Sequence, residues 1–68
     1  MSRATAVRQR VISERAELHA RLGKLNAYVG TAPFLALPKE QQLLLEAQLS
    51  VMKRYLEILD QRLALEGW

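Results

Sequence analysis

The sequence predicts an all-α protein: a helical hairpin of two long helices with a short connecting helix, assembling into a homo-oligomeric helical bundle. Three observations carry this expectation. Apolar residues recur at intervals of three, four or seven on both sides of a segment, Gly30 to Pro38, that holds a glycine and two prolines. The second long segment carries two apolar stripes, one more than a single partner helix covers. The chain has 68 residues and no cysteine, so it has neither room for a large core nor disulfides to staple it. At this length a lone core yields only about 3–5 kcal/mol, and self-association is the expected remedy. One domain, residues 1–68, accommodates the whole pattern.

Helix 1 is expected over about residues 3–29, where Val7, Val11, Leu18, Leu22, Leu25 and Val29 share one face. Gly30 stops it, because a glycine just past the last periodic residue takes the left-handed cap conformation without a Cβ clash. Thr31 as N-cap and Pro33 in the first turn then open a short helix, about 32–37, which Pro38 ends. Phe34, Leu35 and Leu37 are expected to fold back as a lid over the hairpin's closed end. Helix 3 is expected over about 39–66. Its residues Leu45, Leu49, Met52, Leu56, Leu59 and Leu63 alternate spacings of four and three, a heptad seam. Leu44, Val51, Tyr55, Ile58 and Leu65 form a second stripe about 110° around the helix, at ~100° per residue. One stripe can face helix 1; the other requires another chain.

Charge divides at the same point. Before Gly30, six cations (Arg3, Arg8, Arg10, Arg15, Arg21, Lys24) face two acids, a balance of +4; from Gly30 onward four cations face five acids, a balance of −1. An oligomer built this way presents a basic surface to an anion. Arg3, Arg10, Arg21 and Tyr28 fall on one shoulder of the helix 1 stripe, with Lys24 and Glu17 slightly farther out, and Arg8, Arg15 and Asn26 on the other. Arg21, Lys24 and Tyr28 span about 10 Å of axis at ~1.5 Å per residue, comparable to a small dinucleotide. Guanidinium binds phosphate bidentately, ammonium acts as a point charge and tyrosine offers a stacking face. A solvated flank with Tyr28 packed at the hairpin's end is the alternative. Arg8 and Arg15 either meet a ligand or pair with Glu57 or Asp60 of a neighbour. Gly23, inside the helical pattern, costs about 1 kcal/mol relative to alanine, so a second helix or a ligand ring is expected close to its backbone. Arg62 lies on the second stripe with Tyr55 and Ile58, where it either pairs with an acid such as Glu14 or lines a pocket between subunits.

Several classes of function are disfavoured. His19 is the only histidine, cysteine is absent, and no carboxylate pair flanks a plausible nucleophile, so the chain is read as non-enzymatic, without metal or cofactor. The N-terminus lacks the apolar run of a signal peptide, and the longest uncharged stretch, Leu25 to Pro38, is broken by Gly30, Pro33 and Pro38. A soluble intracellular protein with no membrane partner is expected. Trp68 either packs on a neighbour or is disordered.

One run of residues is more distinctive than the rest: Gln48-Leu49, Met52, Tyr55, Leu59 and Arg62-Leu63. It follows Arg10-Val11, Glu14, Glu17-Leu18, Lys24-Leu25, Tyr28-Val29, Phe34, Leu37 and Leu43-Leu44. Over about residues 7–65 this pattern resembles the small phage hairpin-domain proteins that include the anti-CBASS and anti-Thoeris sponges and related crAss-like phage proteins. The resemblance implies a compact homo-hexamer in the host cell cytoplasm that sequesters cyclic oligonucleotide immune signals without cleaving them. It also implies separate intersubunit pockets for cyclic dinucleotides and cyclic trinucleotides. The family's basic residue near the end of helix 1 corresponds to Lys24, with Asn26 as a nearby polar contact and Arg62 in the trinucleotide pocket. In this reading Arg10, Arg21, Lys24 and Arg62 neutralise phosphates, Asn26 and Tyr28 contact base or ribose, and DNA is not a partner. The family's base-stacking tyrosine near the start of helix 1 is replaced here by Val7 or Gln9, so cyclic dinucleotide binding depends on whether Tyr28 or Tyr55 of another subunit supplies the aromatic surface. A dimeric RNA- or DNA-binding hairpin and a structural oligomerisation module are the alternatives.

Overall fold

A computed structural model describes residues 3–68. Three helices follow in order, α1 (Arg3–Tyr28), α2 (Ala32–Leu35) and α3 (Lys39–Ala64), and among the described residues there is no strand. The two long helices pack side by side as a hairpin, giving a rod of 50 × 15 × 14 Å.

The closed end is built from a few local devices. Gly30 takes φ 91°, and Thr31 N–H donates to the Tyr28 carbonyl at 3.1 Å, which turns the chain out of α1. Thr31 then serves two helices: its hydroxyl donates to the Tyr28 carbonyl at 2.6 Å and accepts from Phe34 N–H at 3.4 Å. The single turn of α2 ends at Leu35, before the expected 37, because Leu37 N–H bonds back to the Phe34 carbonyl at 3.1 Å and Pro38 requires an extended predecessor. Two carbonyls of that turn are satisfied by Gln42 of α3, a buried side chain whose amide nitrogen donates to Leu35 O at 3.1 Å and Leu37 O at 2.9 Å. Phe34 is the lid itself, buried, with Tyr28 meeting it edge-on at 5.9 Å between ring centroids and 87° between planes. Leu37 is half-buried beside it. Leu35 is exposed and takes no part in the lid, since successive residues of even one helical turn point about 100° apart.

Along the rod, the heptad seam of α3 faces α1. Leu49 and Leu59 are buried, Leu59 completely, and Leu45, Met52, Leu56 and Leu63 are half-buried. Val11, Leu18 and Leu59 form the central cluster, with Met52, Leu56, Leu63 and Trp68 packed against it. Val7, at the open end, keeps 39% of its surface exposed. Arg15 falls between Val11 and Leu18 in the α1 register, and there it reaches across to α3, its Nε donating to Asp60 Oδ1 at 2.7 Å. The hydrogen bond and then the charge of Asp60 raise the Arg15 pKa further above its usual high value. This pairing lies within one chain, in place of the expected contact with a neighbour or ligand.

The second stripe of α3 stays outside. Leu44, Val51, Tyr55 and Ile58 are all exposed large side chains. Leu65, expected on the same stripe, lies beyond the helix: it is extended (φ −72°, ψ 144°), its N–H bonds to Arg62 O at 3.3 Å, and it is exposed. The chain leaves the helix there and, through Gly67 at φ 87°, carries Trp68 back onto the core.

Candidate functional site

The six residues nominated from the sequence occupy two regions of the rod. Arg21, Lys24, Asn26 and Tyr28 lie in the last turns of α1, at the closed end. Arg10, near the start of α1, and Arg62, near the end of α3, lie toward the open end. Arg10 and Lys24 are about 21 Å apart along the axis at ~1.5 Å per residue, so no one small ligand touches both within a chain. Arg10, Arg21, Lys24, Asn26 and Arg62 are exposed and Tyr28 is half-buried. Among the described residues the ion pairs are Arg15–Asp60 and Arg54–Glu57, so the four nominated cations have no carboxylate partner.

Geometry separates the closed-end group further. Lys24 and Asn26 are two positions apart and therefore point about 160° away from each other around α1. A ligand held by both must touch two copies of the chain. Tyr28 is engaged edge-on with Phe34, the packed arrangement rather than a free stacking platform. Gly23 has nothing within 4 Å of where a Cβ would stand, so no element of this chain uses its close approach.

The open end holds features that sequence reasoning left unresolved. The Arg62 guanidinium carbon lies 5.7 Å from the Trp68 ring centroid, a cation–π contact. It does not pair with Glu14. A cavity of about 220 Å³ beside this pair is lined by Arg62, Leu65, Glu66, Gly67 and Trp68. Trp68 Nε1 is buried and has no hydrogen-bond partner among the described residues. The available signal was Gly67, a residue able to turn the chain back one position before a large aromatic. Among the described residues no cluster of His, Asp or Glu is placed to hold a metal ion. Among the described residues no helix is long and apolar enough to cross a membrane.

A family model described as Sequestin matches residues 5–65. The chain belongs to the Sequestin family. The Sequestin match takes in α1 from Thr5 onward, the α2 turn, all of α3 and all six nominated residues, and it stops short of Glu66, Gly67 and Trp68. The open-end corner is therefore only partly inside the Sequestin pattern, while the closed-end group lies wholly within it. No curated protein and no solved structure matches the chain.

Proposed function

We propose that the protein is a phage-encoded, non-enzymatic sponge that binds cyclic oligonucleotide immune signals in the host cytoplasm and withholds them from their effectors. The carrying observation is the closed end of α1, where Arg21 and Lys24 are exposed cations without acidic partners and Asn26 faces the opposite way. Two copies meeting there would surround one compact anion with charge from one side and an amide from the other. Membership in a family named for sequestration supports the same reading. The exposed α3 stripe supports the assembly it needs, a homo-oligomer for which a hexamer is the proposed count. A sponge acts by stoichiometry, so its affinity has to exceed that of the host effector, and slow release serves it better than fast capture.

The test is a thermal-shift and calorimetric screen against cyclic di- and trinucleotides, linear dinucleotides and a short RNA duplex, with mass followed by light scattering. A ligand present at about 100 times its dissociation constant stabilises by about 2.7 kcal/mol, readily seen as a shift. Lys24→Ala or Arg62→Ala is expected to abolish binding of at least one class of cyclic ligand with mass and helicity unchanged. Dissociation or loss of helicity in these variants would remove them from the site. The row of exposed cations along α1 favours a second reading, binding of extended RNA or DNA. The two differ in salt dependence: a cyclic dinucleotide has two phosphates, whereas a duplex engaging six or more loses about 10³-fold or more in affinity between 50 and 200 mM salt.

A further inference from the structure

We propose that the corner formed by Arg62, Glu66 and Trp68 is a subsite for one amino-bearing nucleobase of the captured ligand, an inference that rests on the sponge reading. The cavity there, about 220 Å³, is smaller than the roughly 300–1,000 Å³ of sites that enclose a drug-sized molecule. It is an open cleft, with room to seat a single ring system while the rest of a cyclic oligonucleotide stays outside it. Its walls match that fragment. The indole offers a broad aromatic face, Leu65 an apolar edge, Glu66 a carboxylate that accepts from an exocyclic amine, and Arg62 a guanidinium suited to the adjoining phosphate.

The present pose of Trp68 is a compromise. Its ring covers the core cluster and lies under the Arg62 guanidinium, but its N–H is buried without an acceptor among the described residues, which penalises this position. Gly67, at φ 87°, is the turn that brings the ring to this position. At 5.7 Å the guanidinium occupies the indole face that a base would use. Binding is thus an exchange: the base takes the indole face and Arg62 swings to the phosphate. No other aromatic is as well placed. Phe34 is buried, Tyr28 is packed edge-on against it, and Tyr55 sits mid-stripe on α3, where a second copy would cover it. That stripe runs through Ile58 to Arg62, so a copy seated on it borders the corner and helps enclose it.

Trp68 is the only tryptophan, so its emission reports on the corner directly. The full chain is titrated with cyclic di-AMP, cyclic di-GMP, cyclic tri-AMP and cyclic di-UMP, recording calorimetric heat and tryptophan fluorescence together. The amino-bearing probes that bind are expected to change Trp68 emission along the same saturation curve as the heat. Trp68→Ala is expected to weaken them about tenfold to a hundredfold, the usual loss for one stacked base, and Trp68→Phe less. Glu66→Gln, an exposed change that leaves folding alone, is expected to cut the preference for amino-bearing over uracil ligands about tenfold. If Trp68→Ala lost helicity, Trp68→Phe and Glu66→Gln would still decide. Heat without a fluorescence change, with affinity and base preference intact in those two variants, overturns the subsite and leaves the sponge standing. No heat with any cyclic probe overturns both.

Discussion

Val51→Lys tests whether the outward stripe of α3 is an interface. Leu44, Val51 and Ile58 leave 65%, 68% and 38% of their surface exposed. Complete burial of such a side chain is worth about 1.5–3 kcal/mol, so covering these fractions yields about 3–5 kcal/mol per chain. Two chains together gain about 5–10 kcal/mol, against an association cost of about 4–15 kcal/mol. The stripe alone makes at best a weak dimer, and losing it is decisive for any larger assembly that includes it. A lysine at 51 forfeits about 1–2 kcal/mol of apolar burial and adds several kcal/mol for desolvating the ammonium. With about 1.4 kcal/mol per tenfold, the dissociation constant rises at least about a hundredfold. On an isolated hairpin the same exposed change stays within about 0.5 kcal/mol of neutral. The assay is light scattering over a concentration series with far-UV circular dichroism on the same samples, and Ser50→Lys, about 100° around the helix, as control. The expected result is a lower mass for Val51→Lys alone. Helicity falling with mass would mean that the hairpin has no stable monomer. Unchanged mass would refute the argument, because a buried interface does not absorb an unpaired ammonium.

Other consequences follow from single contacts. Gln42→Ala leaves the Leu35 and Leu37 carbonyls without their donor and should cost about 1–3 kcal/mol, a drop of at least about 4 °C in the melting midpoint; an unchanged melt would mean water replaces the amide. Gly23→Ala adds a methyl that meets nothing within 4 Å in this chain and should stabilise α1 by about 0.5–1 kcal/mol. A fall in mass with no rise in the melting midpoint would instead place a partner helix against Gly23.

Most of the hairpin was legible because its signals are local and periodic. The seam from Leu45 to Leu63 turns inward along its whole length, and Gly30 and Thr31 close α1 and open α2 by the conformations their chemistry favours. Gln42 escapes the sequence pattern because the apolar seam begins at Leu45. One step earlier, at the same spacing, stands a polar residue whose burial makes sense only once the α2 turn brings two carbonyls to it. Arg15 reads as a shoulder residue because its charge hides its register, and the packed hairpin shows that its partner Asp60 belongs to the same chain and not to a neighbour. Hydrophobicity alone points Leu35 to the lid, and it says nothing about direction in a one-turn helix. Trp68 was undecidable for another reason: its docking depends on where α3 stops, a matter of two residues.

The disposition of Lys24 and Asn26 has a consequence for how assembly and binding depend on each other. Because the two side chains point apart on one helix, a pocket that uses both exists only between chains. A ligand in such a pocket binds the assembled form and not the separated hairpins, so by mass action it must also stabilise the assembly. The α3 stripe is marginal by itself, which leaves that linkage room to be visible. Under the proposed reading, adding the cyclic ligand should raise the mass at protein concentrations where the chain without ligand is the separate hairpin. A pocket contained within one hairpin would leave the concentration dependence of mass untouched while still releasing heat, and that pair of results would move the site from the interface to the single chain.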